Sequence, residues 1–555
     1  MARTLAPSES SPSPTNPAGV APATRIVADV VLRLVVFTGG AVSIGTELAA
    51  SRLLAPFFGT STYIWATIIG LVLIFLSIGY VIGGRLADRF PDPNILYAIT
   101  AVAAFLVGLV PVLSRPILAA SLEAFSSYAV GAFVASLIGC ILLFSIPVTM
   151  LGVVSPFAIR LSMRSLAGAG NTAGGLYALG TFGSIIGTFV PTFLLIPRIG
   201  SARTFYLFSV ILLAVSAAGF LSIPSPARRR GLMVGTLVLL ALSVLLAAVA
   251  PTGFVRPVEG DRTEIYQGES VYNFIQVVRN NATGANELVL NEGHAIHSLY
   301  YPGAPGDAQP LSRGPWDYFA VAPFVVPGAR SANVKNVAVL GLAAGTVVKR
   351  MTQAYGPQVR FDGVEIDPQI VEVGQRYFNM NDANLNVVVE DARYFLKTTD
   401  SRYDVIAVDA YKQPYIPFHL VTQEFFAEAK SHLTPNGVFV VNAGRTATDY
   451  RLVEVISQTM RSVFPKVFTV DTAGFNNTII IATTNPDATL ADFARNIAAE
   501  RAARPDSPVI ALGDAAMANG NMTDVAPGPK IFTDDYAPVE DLIDSIIIDV
   551  ARRGR

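Results

Sequence analysis

The sequence predicts an N-terminal α-helical transmembrane bundle of about seven helices and a C-terminal α/β domain, in which a small β-strand unit precedes a doubly wound sheet. Three observations predict this. The 555 residues are 52% hydrophobic and only 15% charged, against about 25% charged in an average soluble domain. Between Leu34 and Gly253 there are fifteen charged residues and no lysine, and the first lysine of the chain is Lys335. From Asn336 onward, short apolar runs alternate with helical stretches, as buried parallel strands do in α/β folds. A net charge of −1 argues against nucleic-acid binding by bulk charge. A single cysteine, Cys140, excludes a disulfide framework, and no metal site is expected.

Residues 1–24, with five prolines among Ser, Ala and Thr, read as a disordered tail and lack the basic start and apolar core of a signal peptide. Residues 25–253 form the expected membrane domain. Its uncharged runs Leu53–Gly84, Pro93–Ser114, Ala124–Ile159, Ser165–Pro197, Thr204–Ala227 and Gly231–Val255 each exceed the ~20 residues that span a bilayer. Helices are placed near 31–50, 62–84, 95–113, 128–153, 174–196, 203–223 and 231–251. Gly180, Gly183, Ser184 and Gly187 have the spacing of a close helix–helix contact. Asp88 is expected to pair with Arg85 or Arg89 nearby.

Residues 254–330 read as the small β-strand unit, with strands at Phe274–Val278 and Glu287–Leu290 around a turn at 280–286. Residues 331–500 carry strands at Val337–Leu340, Phe361–Ile366, Asn386–Val389, Tyr403–Val408 and Gly437–Val441. Helices near 346–355, 368–378, 422–432 and 449–463 separate most of them, and Thr478–Ala482 adds a late edge strand. Residues 501–555 are a C-terminal extension.

Chemistry collects at the strand ends. Gly341-Leu342-Ala343-Ala344-Gly345-Thr346 opens a helix, so small residues let a ligand approach backbone amides. Glu365 ends the next strand, near the ~20-residue offset at which an acid meets a ribose diol. Asp391, beside Ala392, ends the third strand and suits an adenine amino group or a helix N-cap. Asp409 ends the fourth strand, with Tyr411 just beyond it. In open α/β sheets all four ends face one crevice.

With these residues in view, the soluble part resembles the spermidine synthases, or polyamine aminopropyltransferases, over about residues 264–485. Glu269-Ser270-Val271-Tyr272-Asn273 resembles that family's Glu-Ser-x-Tyr-Gln, and Leu290-Asn291-Glu292-Gly293 its Leu-x-Asp-Gly. Gly341 and Gly345 fall on its nucleoside loop, Glu365-Ile366-Asp367 on its Glu-Ile-Asp, and Asp391 on its adenine-reading Asp. Asp409 falls on the first Asp of its catalytic loop, and Asp317 on the carboxylate of its Tyr-His-Glu segment. The whole chain resembles membrane-fused bacterial members of the group, in Gly84-Arg85-Leu86-Ala87-Asp88-Arg89, Ile416-Pro417-Phe418-His419-Leu420 and Thr533-Asp534-Asp535-Tyr536 among others.

The resemblance implies a Rossmann-type sheet of the class I methyltransferase kind. It implies a transferase of polyamine biosynthesis that moves an aminopropyl group from decarboxylated S-adenosylmethionine to a diamine or polyamine and releases methylthioadenosine. No prosthetic group is implied. Asp409 and Tyr411 would be catalytic. Asn273, Gly341, Gly345, Glu365, Asp391 and Ala392 would bind the donor, and Tyr272, His297, Asp317 and His419 the acceptor. Ala344, Lys412 and the Pro315-Trp316 pair depart from the family at three positions that face the polyamine. Two alternatives therefore stay open: action on S-adenosylmethionine itself, by cleavage, cyclisation or methyl transfer, and a non-enzymatic membrane sensor or transporter. The partners implied are small molecules and the lipid bilayer, with a homodimer left open and no nucleic acid. The expected location is the bacterial inner membrane with the catalytic domain in the cytosol, where the donor is made. The arginines of the helix connections argue for the opposite orientation by the positive-inside rule.

Overall fold

The computed structural model describes residues 22–58, 62–125, 131–163, 168–223, 226–249, 258, 260–291, 295–304, 309–412 and 415–553. The expected tail through residue 21 and the motif residues Glu292 and Gly293 lie outside them. Pro22–Phe58 is helix α1, so the helix starts inside the segment assigned to the tail. The bundle continues with α2 (Thr62–Arg89), α3 (Pro93–Phe125), α4 (Gly131–Ser162), α5 (Ala169–Val190), α6 (Ile196–Ser222) and α7 (Pro226–Val249). A π-helical turn, Pro191–Leu195, joins α5 to α6.

Among the described residues, six segments are long and apolar enough to cross a membrane. One of them, Ala169–Ser222, runs 54 residues, or about 81 Å at 1.5 Å per residue, far beyond a ~30 Å hydrocarbon layer. Its backbone leaves the helical region at Gly200 (φ 80°, ψ 165°), so the segment divides there. The outer faces of the helices keep large side chains such as Leu73, Leu142, Ile146 and Phe189 exposed, as a lipid-facing surface does.

The glycine spacing of α5 is a packing device. A Cβ on Gly183 would lie 2.1 Å from the Phe37 carbonyl oxygen of α1, so only glycine allows that approach. Ser184 Oγ adds a hydrogen bond to the Gly40 carbonyl at 3.2 Å. Asp88 pairs with Arg160 of α4 at 3.0 Å, rather than with the arginines of its own helix.

The α/β domain begins with an antiparallel sheet of β1 (Arg262–Glu269), β2 (Phe274–Asn280), β3 (Asn286–Leu290) and β4 (Ile296–Tyr300), in that order. A short helix α8 (Pro315–Tyr318) follows and packs, with residues 319–325, into the core of the larger sheet. The chain then alternates β5 (Asn336–Leu340), α9 (Thr346–Tyr355), β6 (Arg360–Glu365), α10 (Pro368–Tyr377), β7 (Leu385–Val389), α11 (Ala392–Thr398), β8 (Tyr403–Val408), α12 (Gln423–Ser431), β9 (Leu433–Gly444) and α13 (Arg451–Val463). It ends with β10 (Lys466–Asp471), β11 (Asn477–Thr483), α14 (Leu490–Ala503), α15 (Pro508–Met517), β12 (Met522–Asp524) and α16 (Val539–Arg553).

The eight strands run in the order β12-β10-β11-β9-β8-β5-β6-β7. Strands β7, β6, β5, β8 and β9 are parallel, and β11, β10 and β12 are added antiparallel. The strand expected at Thr478–Ala482 is therefore interior, because β10 and β12 close the sheet beyond it. The C-terminal extension belongs to the same core: Val539, Ile543 and Ile546 of α16 pack with Phe439 and Ile480. Chain order reverses between β5 and β8, which puts a crevice at the carboxyl ends of the central strands.

Candidate active site

A cavity of about 360 Å³ opens at those carboxyl ends and reaches the bundle. One wall starts at the β5–α9 turn. Gly341 (φ 89°) and Gly345 (φ 84°) adopt left-handed conformations that favour glycine. A Cβ on Gly341 would lie 2.6 Å from the Asp409 carbonyl oxygen, so the glycine lets two strand ends touch. Gly345 sits at the start of α9 against Met380 and does not line the cavity.

Glu365 ends β6 under this turn. Its carboxylate accepts hydrogen bonds from the Ala343 N–H at 2.9 Å and the Asp367 N–H at 3.1 Å. Burial pushes it up to about 7 despite those bonds. Asp367 caps α10 by accepting from the Gln369 N–H and also takes bonds from Ser270 Oγ (2.5 Å) and Asn273 Nδ2 (2.9 Å). The Asn273 amide is thus a brace between the small sheet and α10, completed by Asn291 at 2.9 Å, and it borders the cavity. Tyr272 beside it is 40% exposed and lines the same space.

Of the two roles considered for it, Asp391 fills that of the helix cap. One carboxylate oxygen accepts from the Arg393 and Tyr394 N–H groups as the cap of α11, and the other meets His419 Nε2 at 3.3 Å. The hydrogen bond with His419 leads the causes that hold Asp391 below its ordinary range. Ala392 and His419 border the cavity with it.

Asp409 projects from the end of β8. Burial pushes it up to about 6, opposed by hydrogen bonds from Asn442 Nδ2 (2.8 Å) and the Trp316 side chain. Asn442 is itself held by Asn477 Nδ2 at 2.9 Å. The Tyr411 hydroxyl donates to the Asn442 carbonyl (2.9 Å) and accepts from the Gly444 N–H (2.8 Å). Tyr411 therefore clamps the loop after β8 onto β9. His297 lines the cavity with a buried Nε2 that has no hydrogen-bond partner, and burial pushes it down to about 4. His294 lies outside the described residues.

Two expected site residues, Gly345 and Asp317, lie away from the cavity. Asp317 is fully buried, 3.1 Å from Arg350, and accepts from the Arg313 N–H at 2.6 Å. The structure does not bring it to the cavity, because α8 turns it into the core. Trp316, expected to face the polyamine, hydrogen-bonds Asp409, and the reading missed Asn442 and a whole wall from the bundle: Ser51 and Arg52 of α1, and Ile64, Trp65 and Ile68 of α2. Arg52, an isolated charge beside the uncharged run that starts at Leu53, was the available signal. It is in electrostatic contact with Glu269 and Asp367. Glu269 also accepts from the N–H (3.2 Å) and Oγ (2.5 Å) of Ser201, just past the Gly200 break. This joins the end of β1 to the start of a bundle helix, where a carboxylate suits the helix dipole.

Residues 324–489 match the spermine/spermidine synthase domain. A probable polyamine aminopropyl transferase of Bifidobacterium longum is 31% identical over 302 residues, 52% of this chain and 64% of the relative. The chain thus spans under two thirds of that relative's length. A polyamine aminopropyltransferase of Vibrio vulnificus is 29% identical over 214 residues, 38% of this chain and 68% of the relative. Among solved structures, spermidine synthase from Thermotoga maritima aligns at 18% identity and TM-score 0.36, over 46% of this chain and 84% of that one.

Proposed function

We propose that this chain, part of which matches the spermine/spermidine synthase domain, is a membrane-anchored aminopropyltransferase that uses decarboxylated S-adenosylmethionine and an amine. The observation that carries the reading is the convergence of Gly341, Glu365, Asp391 and Asp409, from four adjacent strand ends, around one cavity. Glu365 accepts the ribose hydroxyls and Asp391 meets the adenine edge. A neutral amine attacks the methylene beside the sulfonium in line. The new C–N bond forms as the C–S bond breaks, its electron pair stays on sulfur, and methylthioadenosine leaves. The proton released from the amine passes to Asp409, whose raised pKa makes it a stronger base than an ordinary carboxylate. Asn442 and Trp316 aim that carboxylate, and Tyr411 fixes the loop that carries it.

Purified full-length protein, given decarboxylated S-adenosylmethionine and a panel of amines, should release methylthioadenosine with one equivalent of aminopropylated amine by mass spectrometry. Methylthioadenosine formed from S-adenosylmethionine with no amine would overturn this reading in favour of donor cleavage. The donor is made in the cytosol, so a reporter fused after Arg555 should report that side. An extracytoplasmic signal would favour the arginine balance instead and remove the donor from reach.

A further inference from the structure

We propose that the acceptor is a primary monoamine carrying an aliphatic chain, with its amine at Asp409 and its chain against the membrane helices. This deepens the transferase reading and rests on it.

A diamine or polyamine brings a second ammonium that must leave water with the first. Burying such a charge without a counter-charge is costly. Asp317, the carboxylate expected to receive it, is turned into the core against Arg350. Ala344 has no charge to offer, and Lys412 adds a positive charge to the lining. Four carboxylates do border the cavity: Glu365, Glu390, Asp391 and Asp409. Glu365 and Asp391 are held by backbone N–H groups on the donor side. Glu390 follows β7, which is separated from β8 by β5 and β6, a distance of about 14 Å at ~4.8 Å per strand. That leaves Asp409 as the carboxylate placed for an attacking amine, and it serves one nitrogen.

The wall across the cavity has another chemistry. Ile64 and Ile68 lie one turn apart on α2, with Trp65 next to Ile64, and all three line the same space. They begin the apolar segment Ile64–Arg89, which is long enough to cross a bilayer. A hydrocarbon chain leaving the amine meets this surface, whereas a second ammonium meets no carboxylate among the described α1 and α2 residues that line the cavity.

The test is a chain-length series on the full-length protein in detergent or nanodiscs, with decarboxylated donor and n-alkylamines from butylamine to dodecylamine, putrescine and spermidine. The expected result is a kcat/KM that rises by up to about fourfold per added methylene, the worth of one buried methylene, with putrescine below butylamine. Trp65→Ser and Ile68→Ser should flatten the series, and retained methylthioadenosine binding shows that the variants are folded. If they do not fold, the wild-type series decides alone. Putrescine or spermidine exceeding every alkylamine, or a flat series, would overturn this inference and leave the transferase reading standing. No methylthioadenosine with any amine would overturn both.

Discussion

The cavity has two walls built in different ways. The proposed donor wall comes from residues 341 to 391, in which a glycine turn and two carboxylates end three neighbouring strands, and Asp409 ends the strand beside them. The opposite wall comes from α1 and α2, more than 270 residues earlier in the chain, and consists of apolar side chains around Arg52. The first wall is fixed by local rules: each strand–helix unit places its end residue in the crevice wherever the sheet is parallel. The second is brought to it where Arg52, Glu269 and Ser201 join the bundle to the small sheet. A site with one wall from each source can keep its donor chemistry while its acceptor chemistry changes.

The sharpest way to break the comparison is Asp409→Asn. Loss of the base should lower kcat by about 10²–10⁴-fold, the range of general base catalysis, while methylthioadenosine still binds to the donor wall. The same variant should melt at a higher temperature at pH 7 and above, because it removes a buried carboxylate whose ionisation folding disfavours. Lost donor binding would place Asp409 in the donor wall instead.

Asp317→Asn separates a structural carboxylate from an acceptor-binding one. It leaves the Arg350 guanidinium buried without its counter-charge, which costs about 3–5 kcal/mol of stability. Thermal melting should show that loss, while KM for the amine stays unchanged in the folded fraction. A rise in amine KM at unchanged stability would return Asp317 to the acceptor site.

Glu365→Gln acts on the donor wall alone. Hydrogen bonds to a charged group are worth about 1.5–3 kcal/mol, so donor affinity should weaken about 10- to 150-fold, with kcat less affected. Calorimetry with methylthioadenosine reads this directly. An unchanged affinity would leave Glu365 as a brace for the Ala343 turn.

These contrasts show what the sequence could reveal. The central strands and helices were legible because their apolar runs and caps are local; Thr346–Tyr355 and Tyr403–Val408 form where expected. The four strand-end residues were legible for the same reason. Asp317 was not, because its neighbour in sequence says nothing of Arg350, which α9 brings to it from 33 residues away. Strand β10 and the short edge β12 were missed, since they owe their place to β11 rather than to their own composition. The bundle wall was illegible in principle: Ile64, Trp65 and Ile68 look like any lipid-facing or packed residues until the fold brings them to the cavity at the strand ends.

The pH profile reads the donor wall and the base beside it in one measurement. Asp409 sits near 6 and Glu365 near 7 in the unliganded cavity, both raised chiefly by burial. Each must be ionised to act, the first to take the amine proton and the second to accept two ribose hydroxyls. A raised carboxyl is lost as a base when pH falls through its folded value, so both effects appear on the acid side. At saturating donor, kcat should fall about tenfold per unit below pH 6 as Asp409 protonates. Affinity for the donor should begin to fall already below pH 7, as Glu365 protonates, and bound donor should draw its pKa downward by hydrogen bonding to the charged form. A donor KM that rises before kcat declines would assign the two groups separate roles, Glu365 in donor binding and Asp409 in proton transfer. Coincident limbs near pH 6, abolished together by Asp409→Asn, would mean that one carboxylate governs both.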